Sequence, residues 1–290
     1  SPPFPTQPSK TNLFPVSGYA IWWSEAPITS QIVIAWAKHD RHGHKHADEP
    51  SVQFWAKGYD WITGTGYWPY DEPHFSAATG WLGSNAPHLL NEKANSPRTN
   101  RLLGTGESTG VRFIEVENKR DNGFSVRRQI VQINAETLLI LDFFDKAPDE
   151  IETLWTLDPR VHVSPLGKNT YIGKIEGETT QIEITFTSFP ADALDITTYR
   201  GSRQPFAGWV VTRHHPTAAA GLMARQKIQN GVTATLVRLQ NESPIPAVRL
   251  QENPRSTNWK ISAVDASGTI EVERDDKNIA VMIANQRTNI

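Results

Sequence analysis

The sequence predicts an all-β protein, a large two-sheet antiparallel β-sandwich with little helix, and three features carry that expectation. Short apolar or alternating runs recur from about residue 18 onward, broken by Gly, Pro, Asn and Asp. Short polar turns join some of them: INAET and VDASGT each separate two such runs, which reads as hairpins and therefore as antiparallel pairing. Roughly a dozen strands cannot form one open sheet without curling or splitting, so two packed sheets are expected.

Taken in order, the chain opens with Pro2, Pro3, Pro5 and Pro8 among small polar residues, and residues 1–16 read as an extended tether ahead of one large domain at 17–290. Strands are expected at QIVIAWA (31–37), SVQFWAK (51–57), VRFIEVE (111–117), SVRRQIVQI (125–133) and TLLILDFF (137–144). Further strands are expected at QIEITFT (181–187), WVVT (209–212), VTATLVRL (232–239), TIEVER (269–274) and IAVMIA (279–284). Helical periodicity is weak throughout. Residues 63–109 are the longest stretch poor in strand signal, and long loops on a rigid sheet are where function usually sits.

Composition excludes several classes. The 290 residues carry 29 basic and 31 acidic side chains, so no field of one sign steers the chain to nucleic acid or to an anionic membrane. Arg98, Arg101, Arg127 and Arg128 read as solvated strand and loop faces. No apolar run is long enough to span a bilayer, so membrane insertion is not expected, and the first residues lack the basic start and apolar block of a signal peptide. The absence of cysteine rules out disulfides, thiolate metal sites and a Cys nucleophile. The ten tryptophans fit a wide sheet with large rings in its core, but Trp55, Trp61, Trp68 and Trp81 crowd around a histidine-rich stretch, and flat indole faces also stack on sugar rings.

Six of nine histidines lie between His39 and His88. In an extended strand His42, His44 and His46 would share one face at steps of roughly 7 Å, with Asp48 continuing the alternation. A His-x-His pair beside the strong strand SVQFWAK is a common way to build a divalent-metal or acid–base site, which singles out His44 and His46. His88 ends a Gly- and Ser-rich loop long enough to fold back over the same face. His39 and His42 read as bystanders, and His74, His162, His214 and His215 as structural or surface residues.

The run His44-Lys45-His46-Ala47-Asp48, then SVQFWAKG, GYWPY and SNAPH, resembles the C-terminal β-sandwich domain of the heparinase II/III-like polysaccharide lyases. RRQIVQINAETLLILDFFD, LWTLDP and QPFAGWVVTRHHP look like that domain's second half, so the resemblance runs from about residue 18 to 240. It implies β-elimination on a uronic-acid-containing polysaccharide, an enzyme that is secreted or periplasmic, and a helical toroid domain as partner, on the same precursor or another chain. By position, it makes His44 the catalytic histidine, His46 and His88 two ligands of a zinc ion, and Tyr70, Trp68 and Trp81 the lining of the sugar cleft. The family's third ligand is an Asp just before the Gly-Tyr turn. Here that stretch reads Ile62-Thr63-Gly64-Thr65, so Asp48, Asp71 or His42 would have to substitute, because a catalytic zinc takes three protein ligands.

Two other readings follow from the same residues. The missing Asp and the missing toroid suit a non-catalytic polysaccharide-binding or structural module with a degenerate histidine site. A His-x-His pair with a later His also occurs in cupin-like metal oxygenases, although Glu49 comes too soon after the pair for a cupin and the chain is long for one barrel.

Overall fold

The computed structural model describes residues 11–24, 29–37, 45–108, 111–227, 229–240, 247–251, 253–265, 268–275, 278–283 and 286–289. An antiparallel meander comes first: β1 (Thr11–Phe14), β2 (Tyr19–Trp23), β3 (Ser30–Ala35), β4 (Ser51–Ala56) and β5 (Tyr59–Ile62) form a five-stranded sheet in sequence order. A largely irregular excursion follows. It holds one turn of helix, α1 (Phe75–Ala78), a 3-10 turn at Trp81–Gly83, and β6 (His88–Leu89).

Next come β7 (Arg98–Ser108), β8 (Val111–Arg120), β9 (Ser125–Asn134), β10 (Thr137–Asp145), β11 (Ile151–Thr156), β12 (Val161–Gly167), β13 (Thr170–Ile175) and β14 (Gln181–Phe189). Then follow β15 (Leu194–Arg200), β16 (Ser202–Arg203), β17 (Phe206–Ala207), β18 (Trp209–Thr212), β19 (His215–Ala218), β20 (Ala220–Gln226) and β21 (Gly231–Gln240). Eight of these make a sheet of order β12-β13-β14-β21-β10-β9-β8-β7, and a smaller sheet runs β15-β20-β11-β6. The strands β22 (Ala247–Leu250), β23 (Asn258–Asp265), β24 (Gly268–Asp275), β25 (Asn278–Ile283) and β26 (Gln286–Asn289) form a second five-stranded meander.

The eight-stranded sheet lies between the others, and its sequence shows why. Side chains alternate faces along a strand. On β10, Leu138 and Ile140 join a core with Trp22, Ile34, Phe54 and Trp61 of the first meander, while Leu139 and Leu141 join Trp259, Ile261 and Val272 of the last. The near-continuous apolar run of β10 is therefore the signature of a strand covered on both faces. The all-β antiparallel sandwich expected from the sequence is present, its central sheet covered on two sides. Both expected hairpins form, with Thr137 opposite Asn134 and Asp265 opposite Gly268. Among the described residues no helix is long and apolar enough to cross a membrane.

Three expectations change. Within the stretch read as a tether, Thr11–Phe14 pairs with β2, because Leu13 packs on the core and Phe14 stacks on Tyr19 at 4.6 Å. The stretch read as loop to residue 109 contains β7, an eleven-residue edge strand whose polar, Gly-containing sequence hides it. Arg128 is fully buried and Arg98 is 6% exposed, whereas both were read as solvated. Each is neutralised where it lies: Arg98 by Glu49, and Arg128 by Asp142 directly across the β9–β10 ladder.

Candidate active site

The histidine segment is held by its acidic end. Residues 45–50 have no regular secondary structure, so the shared strand face expected for His44 and His46 does not extend to this part; His39, His42 and His44 lie outside the described residues. Glu49 is fully buried. Its Oε1 accepts hydrogen bonds from Arg98 Nε and Nη2 at 3.1 and 2.9 Å, and its Oε2 accepts from the Asp48 amide at 2.9 Å and from Lys45 Nζ at 3.0 Å. Asn118 Nδ2 donates to the Glu49 carbonyl at 2.9 Å, and the Ala47 amide donates to the Thr79 carbonyl at 2.9 Å. His46 is thus fixed between two anchored neighbours. Burial pushes its imidazole below the ordinary value, Asp48 pulls it up, and the Lys45 ammonium pushes it down.

Trp81 connects this segment to His88. Its ring packs with Ala47 and Ala86, lies 4.4 Å from the Arg98 guanidinium and 4.9 Å from that of Arg120, and stacks parallel on His88 with centroids 5.8 Å apart. His88 sits on β6, where Glu152 of β11 is its cross-strand partner. Its Nδ1 lies 3.1 Å from the Ala86 carbonyl, which can only accept, so that nitrogen carries a proton. Its Nε2 faces Glu152 Oε2 at 3.6 Å, longer than a hydrogen bond. Arg225 Nε donates to the other Glu152 oxygen at 2.7 Å. Burial pushes the Glu152 carboxyl up, but His88 and Arg225 together hold it below the ordinary carboxylate range.

The expected zinc ligands do not close into a centre among the described residues, where no three His, Asp or Glu side chains converge. Asp48 is committed to Lys45 at 2.7 Å, and Asp71 is exposed. The stretch Thr63-Gly64-Thr65 has no room to supply a carboxylate at its centre. A Cβ on Gly64 would lie 2.7 Å from the Gly83 carbonyl oxygen, while Thr65 donates through its amide to that same carbonyl and through Oγ1 to Ala78. His46 and His88 are carried to one corner of the molecule by Trp81, but the described donor set does not fit a zinc ion.

Of the three expected sugar-lining aromatics, Tyr70 and Trp68 both neighbour Phe75, while Trp81 packs in a different cluster. Tyr70 is 60% exposed, meets Tyr67 edge-on at 6.0 Å and stacks on Phe75 at 5.0 Å; a hydrogen bond with Tyr67 raises its phenol above the ordinary value. Trp68 is 4% exposed, donates through Nε1 to the Pro73 carbonyl at 3.0 Å, and backs a cavity. Trp81 is 3% exposed and serves as the clamp just described.

Sequence reasoning missed the residues that hold the corner in place: Glu49, Arg98, Asn85 and Glu152. Asn85 imitates a strand, accepting from the Val52 amide and donating to the Val52 carbonyl at 2.9 and 2.7 Å, while Arg128 Nη1 donates to both Asn85 oxygens. Nothing in the local sequence marks Asn85. Counting back through the INAET hairpin would set Asp142 opposite Gln129; a bulge between Thr137 and Leu138 shifts the register by one and brings Arg128 across from it.

The family model described as heparinase II/III-like, C-terminal matches residues 6–238. Among solved structures, heparinase III superposes with a TM-score of 0.75 at 13% identity, over 93% of this chain and 43% of that one. A heparan sulfate lyase from Pedobacter heparinus gives 0.72 at 13% identity, over 89% of this chain and 41% of that one. The chain thus spans about two fifths of the length of these structures, and its last meander lies beyond the residues that the family model matches.

Proposed function

Because the chain belongs to the heparinase II/III-like, C-terminal family, we propose that it is the β-sandwich part of a polysaccharide lyase that cleaves a uronic-acid-containing polymer by β-elimination. The observation that carries this reading is the clamping of the His46 segment and the His88 loop onto one indole, Trp81, at a single corner of the sandwich. The buried Glu49–Arg98 pair ties the segment that follows His46 to β7.

In the proposed step a base removes the proton from C5 of the uronate, the C4–O bond breaks, a C4–C5 double bond forms, and an acid delivers a proton to the departing oxygen. His44 takes an acid–base role, for which an imidazole is suited because it titrates near neutrality. The C5 proton becomes acidic only when the uronate carboxylate is neutralised, so a cationic or donor group has to face it. A helical toroid domain supplies the rest of the cleft, and Tyr70 and Trp68 contact the sugar chain. Such a polymer does not cross an inner membrane, so the reading puts the protein in the periplasm or outside the cell.

The test is the ultraviolet absorbance of unsaturated uronate, measured over a panel of acidic polysaccharides with the chain alone and joined to a helical domain. Absorbance rising with the joined form supports the reading; none in either form sinks it. The packing at Gly64, which leaves no place for the missing carboxylate there, favours a second reading in which the corner only holds polysaccharide. In that case binding would persist with no product.

A further inference from the structure

A cavity of about 320 Å³ opens between the loop ahead of α1 and the two short hairpins β16–β17 and β18–β19. That volume is near the lower end of ligand pockets, room for one sugar residue and its substituents. Three aromatic rings border it. Trp68 meets Phe206 edge-on at 5.3 Å and Trp209 edge-on at 6.3 Å. Both indole N–H groups are spent on backbone carbonyls, Trp68 on Pro73 and Trp209 on Ser202, so the rings are locked in orientation and offer only apolar surface to a ligand.

The rim is polar, set by Glu72, His74, Arg203 and His215. Arg203 and His215 are exposed, as is His74, whose ring tilts over Phe206 at 5.8 Å. Among the described residues the Arg203 guanidinium has neither a hydrogen bond nor an ion pair, and Glu72 is the one carboxylate at the cavity. Backbone strain gathers here too. His74, Arg213 and His214 all have positive φ, at 70°, 49° and 68°. Arg213 and His214 form the two-residue turn of β18–β19, a position that favours Asn-Gly, and they put two more basic side chains at the tip of the hairpin that carries Trp209 and His215. Val211 of that hairpin donates its amide to the Thr65 carbonyl, tying the cavity to the excursion that leads on to His88.

We propose that this cavity is a subsite for an acidic sugar residue, with its carboxylate or sulfate held by Arg203 and its ring face against the partly exposed Trp209, which the buried Trp68 backs. A guanidinium presents a planar fork that matches either anion in bidentate fashion, and Glu72 is placed to accept from a sugar hydroxyl. The proposal rests on the polysaccharide reading above for its class of ligand, but not on catalysis.

Calorimetric titration of the chain separates the two. Three probes are used: a non-sulfated uronate oligosaccharide, a sulfated one, and a neutral glucan oligosaccharide. Wild-type protein is expected to bind at least one acidic probe and not the neutral one, and whichever acidic probe binds names the anion. Arg203→Gln, an exposed change, should weaken that binding about tenfold, the cost of one charge-assisted hydrogen-bond pair. Trp209→Phe should remove an indole N–H resonance that moves when the bound probe is titrated into the wild-type protein. Loss of binding in Arg203→Gln with no lyase product from any form would keep the subsite and remove the enzyme. Unchanged binding in Arg203→Gln, or binding of none of the three probes, overturns the subsite whatever the lyase assay gives.

Discussion

His88 Nε2 faces Glu152 Oε2 at 3.6 Å across the β6–β11 ladder, and both side chains are buried. This pair, with Arg225 on the second carboxylate oxygen and Trp81 stacked on the imidazole, fixes the ring that ends the Gly- and Ser-rich loop. Glu152→Ala is expected to cost about 2–4 kcal/mol, because it strands a buried imidazole and frees Arg225. Urea unfolding of the variant measures it, and a cost under about 0.5 kcal/mol would show that the pair does not hold the loop.

Restoring a carboxylate at the Thr63-Gly64 stretch should not restore a metal site. Gly64→Asp drives a side chain into the Gly83 carbonyl, so the variant should lose about 2 kcal/mol or more and gain no tight zinc binding. Chelator-competition titration of wild type and variant decides this. Stoichiometric, tight zinc in either protein would mean that His42 or His44, or a shifted Gly64 loop, completes the centre.

Arg128 is a structural hub that no solvent reaches. Its guanidinium spans Asp142 at 2.7 and 2.8 Å, the Pro50 carbonyl and Asn85, joining the central sheet to both the His46 segment and the His88 loop. Arg128→Ala leaves Asp142 buried without its partner, and a loss of about 3–5 kcal/mol is expected in urea unfolding. A fall of under about 1 kcal/mol would place the stability of this corner elsewhere.

Acid sensitivity is predicted at Asp158. Burial pushes its carboxyl up, but Arg160, at 2.6–2.9 Å through side chain and backbone, holds it below the ordinary range. A depressed carboxylate contributes stability that is present above its unfolded value of about 3.9 and is lost as pH falls through the folded value. Asp158→Asn should therefore be less stable than wild type near neutrality, and the gap should close below about pH 4. Urea midpoints from pH 7 to pH 3 test it; a gap that stays constant to the acid end would remove the ion pair as its cause.

Much of the fold could be read from the chain because the periodicity is local: β3, β4, β8, β9 and β10 each announce themselves by their apolar residues. Strands such as β7, β12 and β15 did not, since their exposed faces are polar and only pairing makes them strands. At the site, the histidines were visible as a cluster, but their supports were not. Glu49 and Arg98 lie 49 residues apart and Arg120 and Glu92 28 apart, so these pairs exist only once the sheets have formed. Trp81 illustrates the difference: from sequence it is one more aromatic near histidines, and in the fold its ring is covered by Arg98, Arg120 and His88.

The proposed β-elimination runs through the His44 imidazole. Its most direct test is the initial rate of unsaturated-uronate formation by wild type and His44→Ala, each joined to a helical domain, on an acidic polysaccharide. The account predicts a wild-type rate that falls about 10²–10⁴-fold in the variant, the usual worth of a positioned acid or base. An unchanged rate in His44→Ala would contradict it, as would the absence of product from the wild-type protein.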